Sequence, residues 1–177
     1  MLSRRGHRFQ YPEVASATNH STMRTSDVKR LSPLELAAWG GLLRAHARLV
    51  HELDRELEAA HGLPLTQYEV LLHLERAPHQ RLRMSELARS VLLSQSGVTR
   101  LVDRLEALGL VERAPCAEDR RVLWAQMTDE GMRRLAEARP THLAGVRARF
   151  LDRFDEDELG RLADAWERVL ADSERPD

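Results

Sequence analysis

Between positions 94 and 104 the chain places Ser94, Gln95, Ser96, Thr99, Arg100 and Arg104, all of them hydrogen-bonding side chains. Interleaved with them, Val98, Leu101, Val102 and Leu105 recur at i, i+3, i+4 and i+7. That spacing predicts a helix from Ser94, its N-cap, to about position 108, with the apolar set turned inward. The outer face then carries Gln95, Ser96, Thr99 and Arg100, followed by Asp103. The chemistry open to such a face is recognition. Glutamine offers a paired donor and acceptor to adenine, arginine binds guanine through two bonds, and serine or threonine reaches base edges or phosphates. Gly97 adds no bulk among them, so another backbone can come close. Taken alone, the helix reads equally well as an ordinary amphipathic surface helix.

A second polar group shifts that balance. Two β-rich runs, 110–113 and 122–127, flank a polar stretch running from Pro115 and Cys116 to Asp119, Arg120 and Arg121. The pattern predicts a hairpin with a charged tip. Arginines there suit phosphates or a narrow minor groove, where the potential is most negative. Asp119 can hold a neighbouring guanidinium through a charge-assisted pair. An isolated charged turn would simply be solvated. Directly after a polar-faced helix, it reads as a wing, and the two together as one surface for double-stranded DNA.

The remaining elements must position that surface. Ser32, Pro33 and Glu35 form a capping-box entry to a helix that ends at His61 and Gly62. Leu34, Ala38, Leu42, Ala45, Leu49, Leu53, Leu57 and Ala60 make one stripe along it. About 28 residues span about 40 Å, more than a small domain's own core requires, so this helix is expected to pack on something outside that domain. Thr66 is expected to cap a second helix reaching about Arg76, before Ala77 and Pro78 break it. Leu82, Arg83 and Met84 are short and extended. Ser85 is expected to cap a small helix over 86–91, and Gly109 to stop the polar-faced one. Thr128 caps the next helix, which Pro140 should kink or split. A final helix begins near Asp155 behind Glu156, Asp157 and Glu158, and carries Leu159, Leu162, Ala163, Trp166, Val169 and Leu170.

The fold expected is mainly α with a small β-hairpin wing: a winged helix-turn-helix flanked by dimerisation helices. Its parts are a flexible basic arm at 1–30, a long dimerisation helix at 31–62, the winged domain at 63–127 and C-terminal dimerisation helices at 128–173. The net charge of −1 lacks the basic excess common in nucleic-acid binders, yet its distribution is uneven. Residues 1–30 and 76–125 are net basic, and 31–75 and 126–177 net acidic. Hydrophobic residues at 42% and charged residues at 31% describe a soluble globular chain rather than a disordered one. No apolar run approaches the roughly 20 residues of a membrane span. The basic N-terminus lacks the apolar stretch of a secretory signal, so no membrane association and a cytoplasmic location are expected. The histidines show no metal-ligand spacing, and there is neither a Gly-rich phosphate loop nor a nucleophile elbow. No enzyme, cofactor or metal is expected. The competing class is a protein-interaction module that uses the same winged surface.

The segments Leu65 to Leu71, Met84 to Ala88, Ser94 to Glu106, Gly109 to Arg113, Asp119 to Arg121 and Met127 to Gly131 strongly resemble, in order and spacing, the MarR family of bacterial regulators. The resemblance covers roughly residues 33–172. It implies a homodimeric winged-helix repressor of a pseudo-palindromic operator, often released by a small aromatic or phenolic effector. It places the recognition helix at 94–107, the wing at 115–122 and the minor-groove arginine at Arg120, with the first and last two helices at the dimer interface. Oxidant-sensing members carry a cysteine early in the first long helix, where this chain has Ala37, Ala38 and Trp39. Cys116 lies in the wing instead, beside Arg113, Arg120 and Arg121, which can lower a thiol pKa; a plain turn residue is the favoured reading. Trp39, His46 and Tyr68 are the candidates for an effector cleft, aromatic and polar groups suiting a small aromatic acid.

Overall fold

A computed structural model of the protein describes residues 30–91, 95–115 and 122–171. In chain order its elements are α1 (Pro33–His61), α2 (Leu65–Arg76), a 3₁₀ turn at Pro78–Gln80, β1 (Arg81–Arg83), α3 (Met84–Ser90), α4 (Gln95–Ala107), β2 (Val111–Pro115), β3 (Leu123–Met127), α5 (Asp129–Arg149), a second 3₁₀ turn at Leu151–Arg153 and α6 (Glu156–Ala171). The fold is mainly α with a small antiparallel sheet as its wing. The basic arm at 1–29 lies outside the described residues.

Local chemistry sets most helix ends where the sequence places them. Ser32 Oγ accepts from the Glu35 N–H at 3.3 Å, and the Glu35 carboxylate accepts from the Ser32 N–H at 2.6 Å. Gly62 closes α1 in the left-handed region at φ 59°, a conformation that glycine adopts without strain. Asp155 and Glu158 make a second reciprocal box at the start of α6.

Elsewhere tertiary contacts decide. Thr66 does not cap α2: the helix begins at Leu65, whose N–H donates to Asp54 Oδ1 of α1 at 2.8 Å. Ser85 does not cap α3, which begins at Met84; the Glu86 carboxylate receives the Arg83 N–H at 2.9 Å instead. α5 runs through Pro140 as one helix. The local cost of proline is outweighed there by packing on α1 and α2, with Leu135 and Ala138 buried and the Arg134 guanidinium donating to the His61 carbonyl at 2.6 Å. The wing sheet has three strands rather than two, in the order β1-β3-β2, because Arg81–Arg83 pairs antiparallel with β3.

The core gathers where α2, α3, α4, α5, the sheet and the C-terminal half of α1 meet. Leu57, Tyr68, Leu74, Leu87, Leu105 and Leu135 are sealed in it. On α1 only Leu53 and Leu57 are buried, and on α6 no residue is. Leu34, Trp39 and Val169 remain 79%, 56% and 66% exposed, so among the described residues the N-terminal half of α1 and the end of the stripe on α6 have little cover.

Candidate nucleic-acid interface

α4 presents the two faces that its spacing requires. Val98, Leu101, Val102 and Leu105 are buried, while Ser96, Thr99, Arg100, Asp103 and Arg104 are exposed. Gln95 begins the helix. Ser94, Cys116, Asp119, Arg120 and Arg121 lie outside the described residues.

The polar face of α4 and the base of the hairpin border one cleft. Arg83, Ser85, Thr99, Asp103, Arg113 and Leu123 line it. Its geometry depends on Arg113, which sequence reasoning placed in a strand and beside Cys116 but not against α4. Arg113 of β2 reaches Asp103 at 2.6 Å and donates to the Thr99 carbonyl at 3.2 Å; its guanidinium also pairs with Glu106. A single side chain thus ties the hairpin to three residues on successive turns of α4. Thr128 adds a second tie, its hydroxyl donating to the Gly109 carbonyl at 2.7 Å while accepting from the Gly131 N–H at 3.0 Å.

The fold that carries this arrangement is shared with known proteins. A sequence profile described as the MarR family matches residues 61–122. The repressor YetL of Bacillus subtilis (strain 168) is 31% identical over 114 residues, 63% of this chain and 68% of its own length. The chain belongs to the MarR family. Among solved members, Sco3205 of Streptomyces coelicolor, a MarR family regulator in complex with DNA, is 33% identical with a TM-score of 0.78, over 84% of this chain and 92% of its own. AbsC, also of Streptomyces coelicolor, is 32% identical with a TM-score of 0.76, over 81% and 97%. This MarR family protein is a winged helix-turn-helix, DNA-binding transcriptional regulator and not an enzyme.

The three effector candidates do not share one environment. Tyr68 is inside the core, its ring 4.5 Å from that of His142. Burial pushes its hydroxyl pKa up, against a hydrogen bond from Arg139, which itself pairs with Glu75. Trp39 and His46 lie on exposed stretches of α1. Sequence reasoning missed His142, whose pKa burial lowers and whose Nδ1 is buried with no hydrogen-bond partner among the described residues. Its position on α5 gave no local signal, because the partner that buries it is 74 residues away in sequence. Among those residues no group of histidine, cysteine and carboxylates is arranged to hold a metal, and no helix is long and apolar enough to cross a membrane.

Proposed function

We propose that the chain works as a homodimeric, ligand-responsive repressor that binds a pseudo-palindromic operator through Ser94, Gln95, Ser96, Thr99, Arg100, Arg104, Asp119, Arg120 and Arg121. The observation that carries this reading is the exposed polar face of α4 beside the hairpin base, fixed there by Arg113. A helix so placed enters a major groove while the hairpin meets the adjoining minor groove. Winged residues 63–127 form the reading unit; 31–62 and 128–173 form the dimer. The uncovered apolar faces of α1 and α6 support that division, since a second copy can bury what one chain leaves in water. Two reading heads related by a two-fold axis call for half-sites roughly 34–36 Å apart. Repression is the role of the relative YetL, and its likeness to this chain supports the same sign of regulation here. A cytoplasmic site of action goes with that role.

A small aromatic or phenolic effector belongs to this reading, supported by the His142 Nδ1, which lies against Tyr68 with no hydrogen-bond partner among the described residues. An unpaired buried acceptor or donor gains when a ligand hydroxyl or carboxylate reaches it. The decisive experiment is a gel shift on DNA upstream of the protein's own gene. Salt-dependent, two-fold-symmetric binding supports the regulator. The absence of a shift below about micromolar at low salt favours a protein-interaction module instead.

A further inference from the structure

One face of the sheet carries a cationic pair that is not among the DNA contacts proposed above. Arg81 and Arg83 are two positions apart on β1 and therefore project to the same face. Trp124 of β3 is the register partner of Arg83. Both guanidinium carbons sit over its indole, 4.8 Å from the ring centroid for Arg81 and 5.4 Å for Arg83. Each lies within the roughly 6 Å over which a ring attracts a cation. Two like charges on one ring also repel each other. Among the described residues neither is ion-paired to a carboxylate. Glu112 shares their face of the sheet but stands opposite Gln126, with no ion pair to either arginine. Among the described residues the pair is therefore left without an ion-paired counter-charge.

Position supplies one. Arg83 lines the cleft between α4 and the hairpin base, with Ser85, Thr99 and Leu123. When a helix reads a major groove and a hairpin reaches the next minor groove, the phosphate strand dividing those grooves passes between the two elements. A guanidinium held over an indole face still has N–H groups to offer, and a guanidinium edge matches phosphate oxygens through two parallel bonds.

We propose that Arg81 and Arg83, ordered by Trp124, form a phosphate-binding pair that grips the DNA backbone beside the recognition helix. The proposal rests on the reading of α4 and the hairpin as a duplex-binding surface. It makes Trp124 a positioning residue that touches no DNA itself.

The test is the salt dependence of Kd for a mixed-sequence duplex, because phosphate binding is blind to sequence. The double variant Arg81→Gln with Arg83→Gln keeps most of each stem and removes both charges. It is expected to weaken binding about tenfold at moderate salt and to lower the log–log salt slope by about one for each phosphate that it leaves unneutralised. Arg81→Lys with Arg83→Lys restores the slope. Trp124→Phe retains a ring face and most of the affinity, whereas Trp124→Leu loses several-fold with the thermal midpoint matched to that of Trp124→Phe. An unchanged slope in the Gln double variant, with wild type binding normally, overturns this inference alone. A wild type that binds no duplex overturns the regulator reading and this inference with it.

Discussion

Arg113 on β2 lies 2.6 Å from Asp103 on α4, and through that pair the hairpin and the recognition helix are held as one body. Neither partner needs to touch DNA for the pair to matter. With Asp103 half exposed, its contribution to stability is small, on the order of a few tenths of a kcal/mol. Its contribution to function is geometric. Arg113→Ala is expected to leave the thermal midpoint nearly unchanged and to weaken operator binding about tenfold, equivalent to about 1.4 kcal/mol. Asp103→Ala should cost less in the Arg113→Ala background than alone, and strictly additive losses would count against the coupling.

The two kinds of arginine on the interface should separate in binding assays. Arg100 is exposed on α4 among the positions proposed to read bases. Arg100→Ala is expected to flatten preference at one base pair by about 1–3 kcal/mol while sparing non-specific binding. Arg120→Ala should instead weaken every duplex and reduce the salt slope. Identical profiles for both variants would refute this division of labour.

Much of this surface was legible from local spacing. Ser32 with Glu35, Gly62, Thr128, and Asp155 with Glu158 each declare a helix end within three or four residues, because the bonds that cap a helix are local. The two faces of α4 follow from its apolar spacing alone. What stayed hidden depends on distant partners. Asp54 caps α2 from eleven residues away. The short extended segment at β1 was legible, but not its pairing with β3 from across the chain. Arg113 looks like any strand residue until α4 lies beside it. The intact helix through Pro140 likewise reflects packing that no window of local sequence contains.

Gly131 sits where no other residue fits. A Cβ there would stand 2.1 Å from the Leu110 carbonyl oxygen, a backbone atom that cannot swing aside. Gly131→Ala therefore forces α5 away from the end of α4. The expected loss is about 1–3 kcal/mol, the range for overpacking a closed site. Gly160 is open, with nothing within 4 Å, so Gly160→Ala serves as the control. Differential scanning calorimetry should show a lowered midpoint for the first variant only.

His142 gives stability a pH dependence of definite sign. Burial lowers its pKa in the folded protein, so the folded state disfavours its protonated form. Its neutral form is the stabilised one: the contribution is complete above the unfolded value near about 6.5 and is lost as pH falls through that value toward the folded pKa. The thermal midpoint should decline on acidification from about pH 7.5 to about pH 5.5, and His142→Phe should decline less. Equal slopes for the two proteins would remove His142 from the account.

The exposed apolar residues of α1 and α6 make the proposed dimer testable without damaging the protomer. Leu34 is 79% exposed and Val169 66% exposed in the single chain, so neither contributes to its own core. A charge introduced at either position costs the isolated fold little, since water already surrounds the side chain. If a second copy buries both, the same charge must be desolvated at the interface without a partner, a cost of several kcal/mol for each of the two symmetry-related copies. Leu34→Asp combined with Val169→Asp is therefore expected to halve the mass measured by light scattering at micromolar concentration. Its helical circular dichroism should stay close to that of wild type. Operator affinity should fall further than non-specific affinity, because only the dimer engages both half-sites at once. A variant that keeps the wild-type mass and two-fold-symmetric binding would place the dimer interface elsewhere on the molecule.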